Sequence, residues 1–287
     1  MRLCVICRQM LPASDWRRTA CGWHAQIVDG VATLLPSDDV IGEAFSSEQI
    51  GNLEAVDPRH FWFAARNQLI AWALTRHFPH ARTVLEVGCG TGPVLRSLAE
   101  ARPDLMLTGT EVSDHGLRTT ARVVPSAELV RADTRSLPFD QEFDVVGAFD
   151  VLEHIPEDAQ AMRVLARAAR PGGGVMVTVP QHRWLWSPVD DYSGHHRRYR
   201  RAELVALARA AGLQVVLVTS FVSLLLPMML LSRVLNRGRA VDPRREFALG
   251  ARANGVLMAI MRAELAMIRA GLSWPAGGSL LLVAKRT

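Results

Sequence analysis

From residue 83 onward the chain alternates short, unbroken apolar runs with stretches whose apolar residues recur every three or four positions. The runs Thr83–Val87, "LMLTGTE" ending at Glu111, "VMVTVP" ending at Pro180 and "VVLV" at 215–218 are bounded by glycine, proline or polar residues. They predict strands buried on both faces. After Pro58, "HFWFAARNQLIAWALTRHF" places Phe61, Leu69, Trp72 and Leu74 among the apolar positions of an amphipathic helix, and "RAELVALARAAGL" predicts another that stops near Gly212. Strands alternating with helices predict an α/β chain.

Residues 210–232 carry no charge and are long enough to span a bilayer. Gly212 and the β-branched run suit a further strand instead, and Pro227 interrupts the apolar stretch after it. A closing strand, "GGSLLLVAKR", comes only after about 50 more residues with helical patterns at Leu224–Leu235 and Phe247–Ile268. That stretch is longer than a hairpin needs and predicts a helical lid, a homodimer face or a peripheral membrane contact.

At 287 residues the chain suits one large domain with additions, or two domains. A composition 49% hydrophobic and 21% charged excludes a disordered chain. A net charge of +5 admits nucleic acid or an anionic membrane as partner, but Lys285 is the sole lysine. So complete an arginine skew fits a coding bias better than a designed basic face. The N-terminus has no apolar signal core, so a cytoplasmic location with reduced thiols is expected.

Cys4 and Cys7 are followed, after thirteen residues, by Cys21 and His24. Two short loops that each offer two soft ligands are the pattern of a closed structural zinc site, Cys4, Cys7, Cys21 and His24. A segment of that size would draw its folding energy from the metal.

The strand Thr83–Val87 runs into a loop with Gly88, Gly90 and Gly92, and the second strand ends in Glu111, 19 residues beyond Gly92. An acid at that strand tip is placed to accept from two ribose hydroxyls. "LEVGCGTG", with "VRADTRSLPFDQEFDVVGAFDVLEHIPED" and "LARAARPGGGVMVTVP" after it, resembles class I S-adenosylmethionine-dependent methyltransferases across residues 83–180. The resemblance implies a Rossmann-like sheet of six parallel strands and one antiparallel strand with helices on both faces. It also implies that Glu86 and the glycines hold the methionine part of the cofactor, that Glu111 binds the ribose, and that Asp133 accepts from the adenine with Thr134 beside it. Phe149 and Asp150 would line the methionine side. Arg66, on the leading helix, is the candidate partner for the cofactor carboxylate. A dehydrogenase is the natural rival for such a loop, and the third acid at Asp133, "DVLEH" and "PGGG" favour the methyltransferase.

The organisation expected is a zinc ribbon at 1–36, a helical cap at 37–82, the core at 83–221, the lid or insertion at 222–272 and the last core strand at 273–287. The loop "HRWLWSPVDDYSGHHRRYR" leaves the sheet after the fifth strand, where ligands of open α/β sheets sit. Its pattern resembles a bacterial subgroup of these methyltransferases. A hydroxyl acceptor gains from a base near neutral pKa, which points to His195, oriented by Asp190, or to His182. Trp184, Trp186, Tyr192, His196 and Tyr199 are the expected substrate contacts.

The expected reaction is therefore methyl transfer from S-adenosylmethionine to O or N of a small, aromatic or lipid-like acceptor. One alternative is an rRNA base methyltransferase, since the ribbon followed by "DGVATLLP" resembles the leader of rRNA guanine methyltransferases. The other is a non-catalytic cofactor-binding subunit, disfavoured because all the cofactor acids are present.

Overall fold

The computed structural model describes residues 1–11, 16, 21–35, 59–235 and 249–287. Most of the expected cap at 37–82 before residue 59, the middle of the N-terminal cysteine segment and residues 236–248 of the expected lid lie outside the described residues.

The sheet is built from β1 (Gln26–Val28), β2 (Val31–Thr33), β3 (Thr83–Val87), β4 (Met106–Glu111), β5 (Glu128–Arg131), β6 (Phe143–Phe149), β7 (Ala169–Pro180), β8 (Leu213–Phe221) and β9 (Ser279–Arg286). Their order across it is β1-β2-β5-β4-β3-β6-β7-β9-β8. β5, β4, β3, β6 and β7 pair in parallel, and β9 runs antiparallel to both β7 and β8. That is the expected set of six parallel strands and one antiparallel strand. The sheet is two strands wider than expected: β2 pairs in parallel with β5, and β1 folds back on β2. The N-terminal segment thus joins the main sheet instead of standing apart as a ribbon. Arg2 fixes it there by pairing with Glu128 and Glu142.

The unbroken apolar runs are explained by burial on both sides. Along β9, Leu280, Leu282 and Ala284 enter one core, while Leu281 and Val283 enter the other. Helices α1 (Phe61–His77), α2 (Pro93–Ala101) and α3 (Asp114–Val123) are followed by α4 (Asp158–Ala168), the short α5 (Pro188–Tyr192) and α6 (Arg201–Ala210). Gly92, in the left-handed region, caps α2, and Pro93 supplies a first-turn residue that needs no donor.

The uncharged stretch 210–232 is split between β8 and α7 (Leu226–Leu235). No described helix is long and apolar enough to cross a membrane. α8 (Ala251–Arg269) packs on α1, and its Asn254 accepts from the Phe61 N–H at 2.8 Å. On the same helix Glu264 accepts from the Ser223 and Leu224 N–H groups at 2.8 Å each, which holds the entry to α7.

Candidate active site

The carboxyl ends of β3, β4, β5, β6 and β7 open into a cavity of about 1800 Å³. That exceeds the roughly 300–1,000 Å³ of a pocket for one small ligand, so a nucleotide and a second molecule fit together. Gly88 and Gly90 carry positive φ at the end of β3, and a Cβ on Gly88 would come within 2.6 Å of Val151. Only glycine meets both demands at position 88.

Glu111, at the tip of β4, accepts from the N–H groups of Gly90 (2.9 Å), Val112 (2.7 Å) and Ser113 (3.1 Å). Glu111 therefore ties down the glycine loop. Burial pushes its carboxyl upward, against the pull of those three donors. Glu86 is 2% exposed, and its Oε2 has no protein partner. Burial pushes its carboxyl up to about 8, opposed by the charge of Arg66. A buried acceptor left over on a cavity wall fits a cationic ligand group.

Asp133 accepts from the Arg135 main-chain N–H at 2.7 Å and from its guanidinium at 2.6 Å. Burial works against ionisation there, but Arg135 wins and holds the carboxyl below its usual range. Thr134 is buried beside it and Phe149 lines the cavity, seated over Gly147. Asp150 stands at φ 58°, and its Oδ2 accepts from Arg66 Nη1 at 2.5 Å and Thr178 Oγ1 at 3.1 Å. The Arg66 guanidinium lies 4.9 Å over the Trp62 ring, so α1 closes one wall. All ten expected cofactor residues belong to this wall or to the turn that shapes it.

Across the cavity, Asp190 is fully buried and organises the loop after β7. Its Oδ1 meets His195 Nδ1 at 2.8 Å and Arg198 Nε at 2.7 Å. Its Oδ2 accepts from Arg198 Nη2 at 2.9 Å, the Ser187 N–H at 2.8 Å and the Ser187 hydroxyl at 3.0 Å. Burial would raise this carboxyl, but the bonds from His195 and Arg198 outweigh it and hold it well below the carboxylate range. The His195 ring stands edge-on to His154 at 4.7 Å, and both line the cavity with His196.

Between the two walls, the 3-10 turn Leu152–His154 carries Glu153, which is fully buried with neither carboxylate oxygen partnered. Burial and then the charge of Asp150 push its carboxyl well up, while burial and then His195 push the His154 ring down to about 3.

Several expected substrate residues are not in the cavity. Because Asp190 pins the centre of the loop, the flanking side chains turn outward or into the core. Trp184 is 54% exposed with His182 stacked on it at 4.6 Å, and Trp186 donates to Asp191 at 2.9 Å. None of these three lines the cavity, nor does Tyr192. Tyr199 is a core residue whose hydroxyl donates to Asp158 Oδ2 at 2.9 Å. His182 therefore lies outside the cavity and Tyr199 in the core. Glu153, His154 and Arg198 were not assigned from the sequence, although "DVLEH" and the quoted loop contain all three.

At the N-terminus, Cys4, Cys7 and Cys21 bring their sulfurs within 4.8 Å of one another. His24, the expected fourth ligand, is exposed and outside that group.

The family profile described as "Methyltransferase domain" matches residues 56–218. A ubiquinone biosynthesis O-methyltransferase of Hydrogenovibrio crunogenus is 26% identical over 188 residues, 58% of this chain and 73% of that one. A trans-aconitate 2-methyltransferase of Azoarcus sp. is 29% identical over 158 residues, 54% of this chain and 59% of its own length. Among solved structures, Haemonchus contortus phosphoethanolamine N-methyltransferase 2 in complex with S-adenosyl-L-methionine superposes with a TM-score of 0.51 at 19% identity, covering 77% of this chain and 52% of that one. The [4+2]-cyclase SpnF gives 0.52 at 22% identity, covering 81% and 85%. At these identities the structural likeness establishes the fold alone.

Proposed function

The chain belongs to the methyltransferase-domain family, as an S-adenosylmethionine-dependent enzyme of its O- or N-methylating kind, and from that premise we propose that its acceptor is a small molecule received between His195 and α7. The observation that carries the reading is the pinned loop: the Asp190–Arg198 pair holds His195 on the cavity wall facing the strand-end acids.

The cofactor, when bound, supplies a methyl group on a sulfonium, ready for in-line displacement. Glu86 and the Gly88–Gly90 backbone would hold its methionine part, Glu111 its ribose and Asp133 its adenine. Asp150 and Arg66 shape the wall beside it. His195 accepts the acceptor's proton at Nε2, since Nδ1 is engaged by Asp190. An aromatic or lipid-like acceptor is supported by Leu225, Met228, Met229 and Leu257, which line the cavity from α7, α8 and the turn before α7.

Glu111→Ala is expected to weaken S-adenosylhomocysteine binding by about 1–3 kcal/mol, the usual value of hydrogen bonds to a charged acceptor. Titration calorimetry on the folded variant checks it, and unchanged affinity would remove the ribose assignment. Turnover of candidate acceptors with methyl-labelled cofactor then identifies the substrate.

We propose zinc on Cys4, Cys7 and Cys21, because clustered thiolates are its preferred donors. Protein purified without chelator should carry one zinc per chain, and Cys7→Ser should release it while leaving cofactor binding intact. Elemental analysis decides, and metal-free protein would rule the site out.

A further inference from the structure

We propose that Glu153, His154 and His195 form a second metal site, on the floor of the active cavity, that takes a divalent first-row cation. One ligand atom from each of the three lies within 4.8 Å of the other two. They come from separate segments, the turn after β6 and the loop after β7, so the grouping is not an accident of local sequence. All three line the cavity, so a bound ion would keep positions open toward the acceptor. Two imidazoles and one carboxylate are the donor set of open sites for zinc, manganese or iron.

Glu153 supplies the independent observation. A fully buried carboxyl with no hydrogen-bond partner on either oxygen is costly and rare. A cation supplies what the protein withholds. The surroundings are those of metal ligands as well. Ligating imidazoles engage their second nitrogen with a carboxylate or the main chain, which fixes the ring. His195 Nδ1 meets Asp190 Oδ1 at 2.8 Å, leaving Nε2 to offer, and the main chain of Ser193 and Gly194 hydrogen-bonds the His154 ring.

An ion here would receive an oxygen of the acceptor and hold it deprotonated at neutral pH. In that step His195 Nε2 is taken up by the ion and no longer serves as base, so the acceptor hydroxyl releases its proton to solvent and its oxygen forms the bond to the methyl carbon. The carbon–sulfur bond breaks with its electron pair remaining on sulfur. The acceptor part rests on the proposed function, whereas the ion site is read without turnover.

The test uses Mn²⁺ alone as probe, because thiolate clusters favour softer ions and Cys4, Cys7 and Cys21 then interfere least. Electron paramagnetic resonance titration of the full chain should show one bound Mn²⁺. Glu153→Gln and His195→Ala should each weaken it about tenfold or more, while Cys7→Ser leaves it unchanged. S-adenosylhomocysteine binding, measured in parallel, shows that each variant is folded. No Mn²⁺ binding by the wild-type chain, or equal binding by Glu153→Gln, would overturn the site and leave the methyltransferase reading untouched. Failure of S-adenosylhomocysteine binding in the wild type would strike that reading instead.

Discussion

His195→Ala lowers turnover by about 10²–10⁴, the span expected when a positioned proton acceptor is removed. The loss is expected whether the ring takes the acceptor's proton itself or holds an ion that stabilises the deprotonated oxygen. S-adenosylhomocysteine affinity stays near wild type, because Glu86, Glu111 and Asp133 sit on β3, β4 and the end of β5 rather than on the loop that carries His195. His182→Ala is the internal control. Its ring is stacked on the exposed Trp184 outside the cavity, so turnover changes only a few-fold. Steady-state rates on both variants, once an acceptor is in hand, check the pair. Comparable losses in the two, or none in either, would mean that the loop acts through alignment alone.

Asp190→Ala is expected to cost about 3–5 kcal/mol of stability, the penalty for leaving one member of a buried ion pair without its counter-charge. The Arg198 side chain is 9% exposed and loses both of its carboxylate contacts. The Ser187 N–H and hydroxyl lose their acceptor in the same change. Because the folded carboxyl titrates below its unfolded value, its contribution is present above about pH 4 and is lost only as acid carries the solution through the folded value. Urea unfolding at neutral pH measures the difference. A loss under about 1 kcal/mol would show that the loop is held by other contacts.

Much of this is legible in the chain itself. The buried strands β3 and β7 read as largely apolar runs and the tight turn after β3 requires glycine, whereas the roles expected of the acids at the strand tips rest on the family resemblance. The loop after β7 is legible as a functional element but not side chain by side chain. Which of its rings face the cavity depends on Asp190; its pairing with His195 is expected from the loop, but its second partner Arg198 lies eight residues away with no periodicity to betray it. Tyr199 reads as a pocket wall and is core, because a phenol can be buried once Asp158 accepts its hydroxyl. Glu153 and His154 stand in a segment whose family resemblance is plain, yet their meeting with His195 is a tertiary event. The N-terminal hairpin has a plain signal in Asp29–Gly30, both at positive φ, but only the sheet shows which strand it joins.

The joining has a mechanical consequence. Without β2, the last strand on that side would be β5, whose outward N–H and carbonyl groups could template pairing with another chain. Among the described residues the outermost strand on that side is β1, three residues long and closed by a two-residue turn. So short a rim gives a neighbour almost nothing to zip against. The hairpin thereby blunts this edge of the sheet, a duty separate from the chemistry at the carboxyl ends of the strands.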